Sequence, residues 1–372
     1  MVRVAGLLFV LSHVLPHNSA ITKSPTTPVG KVSRAGAAAP RRSYQSDVRL
    51  GQIVRLLMDH ATVVVSGTKI SQQIGTTRSQ VWRLIQQLRR LGVDIAGHPA
   101  TGYQLRALPD LLLPDILAPL VRGTIFSEHI HHYYKIGSTN IAALEAATAG
   151  APEGSVFLTE EQTAGRGRSS RSWHSSRSAG IYCSVVLRPL LPPADVLILA
   201  LAVALAVKAA VEEIGANLKV DLRWPNDLLL EGKKFCGILT EMSAEATRVR
   251  HLVVGIGVNV NHSDFPASIE KEATSLRLAT GTEWSRVELT AALLKSLDRE
   301  YRNLLRKPDA PGSILRRFSQ QSSYVRGMQV HVDENGGFDG VTESLDPRGF
   351  LQVRTAHGMR TVLSGSVRPK PQ

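Results

Sequence analysis

At 372 residues the chain is long for one domain and suits two or three, and its 43% hydrophobic content is enough to build separate cores. Two cysteines, Cys183 and Cys236, lie far apart in apolar runs, which excludes a disulfide framework and a cysteine metal site and implies free thiols in a reducing compartment. The formal charge of +13 is uneven: residues 31–106 hold twelve Lys/Arg against three Asp, and no Glu precedes Glu128. A basic segment of domain size at one end suits a polyanion, nucleic acid first, or is only a solvated basic surface.

Met1, Val2 and Arg3 lead into an apolar run over residues 4–14, broken only by Ser12 and His13, and Asn18-Ser19-Ala20 can pass for a cleavage site. The run is too short to span a bilayer. Residues 21–46 are rich in Ser, Thr, Pro, Ala and Arg and read as disordered. Residues 1–46 therefore stand as a disordered or signal-like extension, with a true leader, a non-functional extension and a start assigned too early all left open.

Residues 47–106 read as helices followed by a hairpin. Leu50, Ile53, Val54, Leu57 and Met58 repeat at helical spacing. A short helix over 66–75 closes at Gly75, and Thr76-Thr77 can cap a second helix over 78–91. Val81, Leu84, Ile85, Leu88 and Leu91 form its buried stripe, while Gln80, Arg83, Gln86, Gln87, Arg89 and Arg90 lie off it. The segments 92–95 and 102–105 alternate as a two-stranded wing. The pattern predicts a winged helix-turn-helix. Arg and Gln suit phosphates and base edges, so Arg78, Gln80, Arg83 and Gln87 are the candidate DNA contacts. A helical protein-interaction module is the competing reading, and the wing, the turn and the charge favour DNA. Residues 107–125 form a Leu/Pro-rich linker.

Residues 126–325 mix strands and helices. A strand is expected over Gly180–Leu187 and a long helix over Val196–Ile214; its apolar stretch is short for a membrane span and ends at Lys208, Glu212 and Glu213, as a core helix would. Strands over 218–224, 234–242 and 250–260 follow with short connections, an antiparallel meander, and then helices over 287–305 and 313–321. Residues 326–372 show short alternating strands around Gly turns.

Four segments of the central unit carry polar chemistry. Gly137-Ser138-Thr139-Asn140 precedes a helix over 141–149 and reads as a cap or as hydrogen-bonding groups for a small polar headgroup. From Glu161 to Trp173, Gly165-Arg166-Gly167-Arg168 alternates glycine with arginine. Such a loop lets backbone approach a ligand closely while guanidiniums pair with phosphate or carboxylate; a solvated basic turn is the alternative. Arg223-Trp224-Pro225-Asn226-Asp227 precedes Lys234, which enters an apolar strand and must find an anion or snorkel to water. Gly255-Ile256-Gly257-Val258-Asn259 invites close approach of a ligand or only of another strand. No P-loop or completed dinucleotide fingerprint occurs, so ATP use needs a different phosphate site. No convincing Ser–His or Cys–His pair offers a nucleophile.

Together these motifs, with Gln162, Gly237-Ile238-Leu239 and Ala273-Thr274-Ser275-Leu276, resemble the biotin–protein ligase family in its order. The winged helix and the small C-terminal strand unit look like the bifunctional members, which are also biotin operon repressors. The resemblance implies an α+β fold: winged helix-turn-helix (47–106), linker (107–125), a mixed-sheet, class II synthetase-like biotin/ATP-binding domain (126–325) and an SH3-like barrel (326–372). It implies ATP, biotin and Mg²⁺ as cofactors or substrates, a biotin carboxyl carrier protein and operator DNA as partners, a homodimer when adenylate is bound, and a cytoplasmic protein with no membrane partner. By the same resemblance Ser138, Thr139, Asn140, Gln162, Arg166, Gly167, Arg168 and Lys234 hold biotin. Trp173, Asn226, Asp227 and Asn259 serve the adenylate, Lys234 and Arg168 are catalytic, and no metal ligand is assigned. Ser170 departs from the family loop, which often has another Gly there. A lipoate ligase sharing the architecture, a ligand-sensing repressor without turnover, and a ligase whose winged helix no longer binds an operator are the competing readings; intact Gly165–Arg168 and Lys234 argue against the second.

Overall fold

The computed structural model describes residues 3–4, 7–10, 40–107, 110–215, 218–334 and 336–370. In the region read as an extension, strands β1 (Arg3–Val4) and β2 (Leu7–Val10) pair with each other, and helix α1 (Pro40–Asp59) begins ahead of the apolar repeat that defines it in the sequence. The cleavage-like Asn18-Ser19-Ala20 lies outside the described residues.

α1, α2 (Gly67–Gln73) and α3 (Arg78–Arg90) precede the hairpin of β3 (Ile95–His98) and β4 (Gly102–Leu105). Polar caps set the starts of α2 and α3: Ser66 Oγ accepts from Lys69 N at 3.1 Å, and Thr77 Oγ1 from Gln80 N at 3.2 Å. Leu50, Ile53, Leu57, Ile70, Val81, Ile85 and Leu88 close the core between the helices. Arg89, left on the open face by the sequence pattern, instead donates to Ile95 O at 2.8 and 3.0 Å and pins the wing to α3.

The connector is packed rather than loose. Leu111 and Leu113 enter the first core, Leu112 enters the central one, and α4 (Pro114–Leu120) follows. An ionic hub fastens this stretch. Arg286, 1% exposed, donates to Asp110 Oδ2 at 3.0 Å and to Glu160 Oε2 at 2.7 Å. Glu160, fully buried, also accepts from Leu112 N at 3.1 Å and pairs with His132 Nε2 at 3.0 Å. Burial alone would raise the Glu160 pKa; Arg286 and His132 more than offset it and hold it at about 2, against an ordinary 4.5. A depressed carboxylate contributes stability that is present above its unfolded pKa and lost as pH falls through its folded one. Acid unfolding is therefore expected to draw on Glu160 between about pH 4.5 and pH 2, to the extent of about 3 kcal/mol. Removing Glu160's charge leaves the buried Arg286 with only the partly exposed Asp110 as counter-charge, so Glu160→Gln should lower the melting temperature at pH 7 and flatten that acid limb. Parallel pH–melting curves for the two proteins would count against the hub.

The central sheet has β5 (Ile130–Tyr133), β6 (Val156–Thr159), β7 (Gly180–Leu187), β8 (Asp221–Arg223), β9 (Asp227–Leu230), β10 (Lys233–Ala244) and β11 (Val249–Asn259) in the spatial order β8-β9-β10-β11-β7-β6-β5. Of these neighbours only β5 and β6 run parallel, so the sheet is mixed. β2 lies parallel beside residues 241–243 of β10. The expected meander is present with one correction. The strand expected over 218–224 is shorter, β8 alone, and β9 is an additional strand beyond it, after a turn with a cis Trp224–Pro225 bond. Helix α5 (Thr139–Thr148) packs on one face of the sheet. On the other, α6 (Val196–Ile214) packs on α8 (Arg286–Arg306) and α9 (Ala310–Gln320), after the short α7 (Leu276–Thr280). α6 is apolar and long enough to cross a membrane, but its side chains are buried within this domain.

The C-terminal unit is an antiparallel five-stranded sheet, consistent with a small barrel. It comprises β12 (Gln329–Val332), β13 (Phe338–Leu345), β14 (Leu351–Thr355), β15 (Gly358–Val362) and β16 (Val367–Pro369) in the order β15-β14-β13-β12-β16. Trp224 Nε1 donates to Gly349 O at 2.8 Å and ties this unit to the central one.

Candidate active site

Side chains alternate across a sheet, so Tyr182 and Ser184 of β7, Gly237, Leu239 and Glu241 of β10, and Gly255, Gly257 and Asn259 of β11 share the face on which α5 sits. The three glycines keep that face low. A Cβ on Gly257 would come 2.5 Å from Trp173 Cε2, one on Gly237 2.8 Å from Trp173 Cζ3, and one on Gly255 would collide with Asn140 Oδ1. The glycine pairs thus seat an indole and an amide, beyond simple strand packing. Every candidate for the biotin, adenylate and catalytic roles lines one cleft of about 520 Å³ above this floor. The candidate DNA contacts sit elsewhere, on α3, where Arg78 and Arg83 are exposed and Gln80 and Gln87 half-buried.

One end of the cleft is a buried polar chain. Glu241 Oε2 accepts from Asn140 Nδ2 at 3.0 Å, and Ser184 Oγ lies 2.6 Å from Asn140 Oδ1 and 2.8 Å from Thr139 Oγ1. Gln162 Oε1 accepts from Thr139 N at 2.9 Å, while Gln162 Nε2 donates to Ser175 Oγ at 2.9 Å. Ser138 occupies the N-cap of α5, but its hydroxyl makes no capping bond, so the helix-cap reading does not account for it. Ser184, Glu241 and Ser175 were missed by sequence reasoning. Glu241, an acid inside the apolar strand beside Leu239 and Met242, carried the same signal as Lys234.

The Gly/Arg loop covers this end as a flap. Arg166 Nη2 pairs with Glu241 Oε1 at 3.0 Å. Arg168 Nη1 donates to Asn226 Oδ1 at 2.8 Å and its Nη2 to Gly365 O at 3.4 Å, so the flap reaches both the β8–β9 turn and the C-terminal unit. Ser169 and Ser170 have φ of 53° and 61°, a region that favours glycine. The serine departure therefore stores strain in this flap position, on the order of 1 kcal/mol per residue. Ser170→Gly is expected to slow ligand escape from the closed cleft by up to about fivefold, the rate equivalent of that strain. Faster escape, measured by stopped-flow chase, would contradict this.

At the other end Lys234 Nζ lies 2.5 Å from Asp227 Oδ1 and 5.3 Å from the Trp173 ring centre. Lys234 is therefore paired and held in the cleft, not snorkelling. Arg223 Nη2 holds the other Asp227 oxygen at 2.7 Å. Burial would raise the Asp227 pKa, but Lys234 and Arg223 outweigh it and keep the carboxyl below its usual range. Asn226 Nδ2 donates to Ile238 O at 2.7 Å and Asn259 Nδ2 to Thr274 O at 3.0 Å, so both amides are fixed by backbone. Phe265 stacks on His262 at 5.1 Å, and burial with His174 nearby lowers the His262 pKa to about 4, leaving it neutral at pH 7. Burial pushes the Cys183 thiol up to about 12 and raises that of Cys236, so neither is poised as a nucleophile. Among the described residues no three His, Cys, Asp or Glu side chains cluster as metal ligands.

A mixed-sheet domain with a glycine floor, a cationic flap and a half-buried lysine–aspartate pair, behind a helix-turn-helix, is the arrangement of a protein ligase joined to a DNA-binding module. The family model for biotin/lipoate A/B protein ligases matches residues 134–259, and a helix-turn-helix domain model matches residues 49–104. The bifunctional ligase/repressor BirA of Bacillus subtilis (strain 168) is 34% identical over 85% of this chain and 97% of its own length. Its namesake from Escherichia coli (strain K12) is 28% identical over 81% of this chain and 92% of its own. Among solved structures, the biotin protein ligase of Aquifex aeolicus in complex with biotin and ATP superposes with a TM-score of 0.56 at 29% identity, covering 65% of this chain and 100% of that one. The chain belongs to the biotin/lipoate A/B protein ligase family.

Proposed function

We propose that the chain is an ATP-dependent biotin–protein ligase and biotin-responsive transcriptional repressor. The observation that carries the ligase reading is the single cleft that joins a buried hydrogen-bonding chain at one end to Lys234 and the flap arginines at the other. Asn140, Ser184, Thr139 and Gln162 offer donors and acceptors suited to the ureido ring of biotin. A lipoyl dithiolane, with no comparable donors and acceptors, would forgo the hydrogen bonds that a ureido ring can add to this chain, which favours biotin over lipoate.

The reaction needs no enzyme nucleophile. A biotin carboxylate oxygen attacks the α-phosphorus of ATP and pyrophosphate leaves; an amine of the carrier lysine then attacks the acyl carbon and AMP leaves. Lys234, fixed by Asp227, neutralises charge shared between carboxylate and α-phosphate, and Arg168 adds a second cation from the flap. Trp173 and Asn259 border the adenylate side, and flap closure keeps water from the mixed anhydride. The donor set does not fit a resident metal: the Asp227 carboxylate is already taken by Lys234 and Arg223. Mg²⁺ would arrive with ATP as part of the substrate, supplying charge neutralisation at the phosphates.

The wider reading assigns 47–106 to operator binding through Arg78, Gln80, Arg83 and Gln87, and 107–125 to the connector. It assigns 126–325 to catalysis and 326–372 to an SH3-like barrel that completes the ATP and carrier surfaces. Adenylate-promoted pairing of two copies and a cytoplasmic location belong to it. Incubation of the full chain with ATP, Mg²⁺, biotin and a biotin carboxyl carrier domain should add one biotinyl group to the carrier by mass; an unmodified carrier would overturn the ligase reading.

A further inference from the structure

Among the described tryptophans, Trp224 is 2% and Trp284 9% exposed and Trp173 packs on the glycine floor, whereas Trp82 is 56% exposed on α3. An indole left in water forgoes the burial that anchors the others, so its position asks for a partner. Val81, Leu84, Ile85 and Leu88 take the buried side of α3. Helical spacing sets Trp82 on the flank of that side, facing away from the core, beside exposed Arg78 and Ser79 one turn before it and half-buried Gln86 one turn after it, with exposed Arg83 adjacent. No Asp or Glu occurs between Asp59 and Asp94, so nothing acidic in this stretch offsets the cations around the ring. An apolar ring beside two arginines on an acid-free helix complements a polyanion that also carries apolar spots. Duplex DNA meets that description in its major groove, where thymine alone presents a methyl group.

We propose that Trp82 is a specificity-determining DNA contact, its indole packing on thymine methyls while Arg78 and Arg83 hold the phosphates and base edges beside it. The inference rests on the repressor reading and extends it to a residue of a chemistry that a search for Arg and Gln passes over. Being uncharged, Trp82 releases no counterions, so its contribution differs from that of an arginine in being independent of salt.

The test uses the full chain with biotin and ATP to enrich a duplex from a random pool. Affinities for that duplex and for a scrambled one are then measured across salt concentrations. Trp82→Ala should weaken the enriched duplex by about tenfold or more, with the scrambled duplex, the salt slope and biotin ligation unchanged. Arg83→Ala should instead make the salt slope shallower by about one. Replacing thymine by uracil in the enriched duplex should weaken the wild-type chain and leave Trp82→Ala unaffected. A Trp82→Ala chain that ligates biotin and keeps the full sequence preference overturns the assignment, as does a loss confined to self-association. A chain that enriches no duplex overturns the repressor reading and this inference with it, leaving the ligase reading standing.

Discussion

Replacing Lys234 with alanine is expected to slow biotinyl-adenylate formation by about 10²–10³-fold, the usual consequence of deleting one preorganised group that meets transition-state charge. The ammonium sits 2.5 Å from a buried carboxylate and 5.3 Å from the Trp173 ring centre, so its position is set before substrate arrives. Asp227 keeps Arg223 at 2.7 Å in the mutant, which spares the fold an uncompensated buried charge. The effect should fall on kcat more than on the KM for biotin, whose ring is held at the opposite end of the cleft. Single-turnover adenylation beside circular dichroism reads both quantities. A folded mutant within tenfold of wild type would remove Lys234 from the chemistry.

Arg168→Gly is expected to keep adenylation measurable while biotinyl-AMP escapes. Its guanidinium joins the flap to Asn226 and to Gly365, and loss of such charge-assisted bonds is worth about 1.5–3 kcal/mol, or roughly tenfold or more in the lifetime of the closed flap. Released adenylate acylates exposed amines without selection, so labelling of a bystander protein mixed with the enzyme should rise by a similar factor. Bystander labelling that stays at the wild-type level would show that the flap does not guard the anhydride.

The candidate site was legible in the sequence where an unusual residue type stands at a fixed local spacing. Arg166 to Arg168, Gly255 with Gly257, and Lys234 inside an apolar strand each violate the pattern of their own element, and all line one cleft. Contacts assembled across the fold were not legible. Ser184 reads as an ordinary strand serine until Asn140 is brought within 2.6 Å of it. Glu241 acquires meaning only once Arg166 and Asn140 converge on it. Arg89 reads as a free surface cation, because its partner, Ile95 O, is a backbone atom with no signature. The packing of the connector was not legible for a related reason. Leucines and prolines without periodicity do not say which core they join; consecutive leucines there enter two different cores, stitched down by an arginine far along the chain. The expected strand stops at β8 before Pro225, which donates no backbone hydrogen bond, and the chain resumes pairing only in β9.

The most direct test is isotope exchange between pyrophosphate and ATP by the purified full chain, with biotin or with lipoate as the only acid present. Exchange that depends on biotin, is far weaker with lipoate and is abolished by Lys234→Ala is the expected result. No exchange with biotin, or equal exchange with lipoate, would contradict the assignment of the buried polar chain as a ureido site.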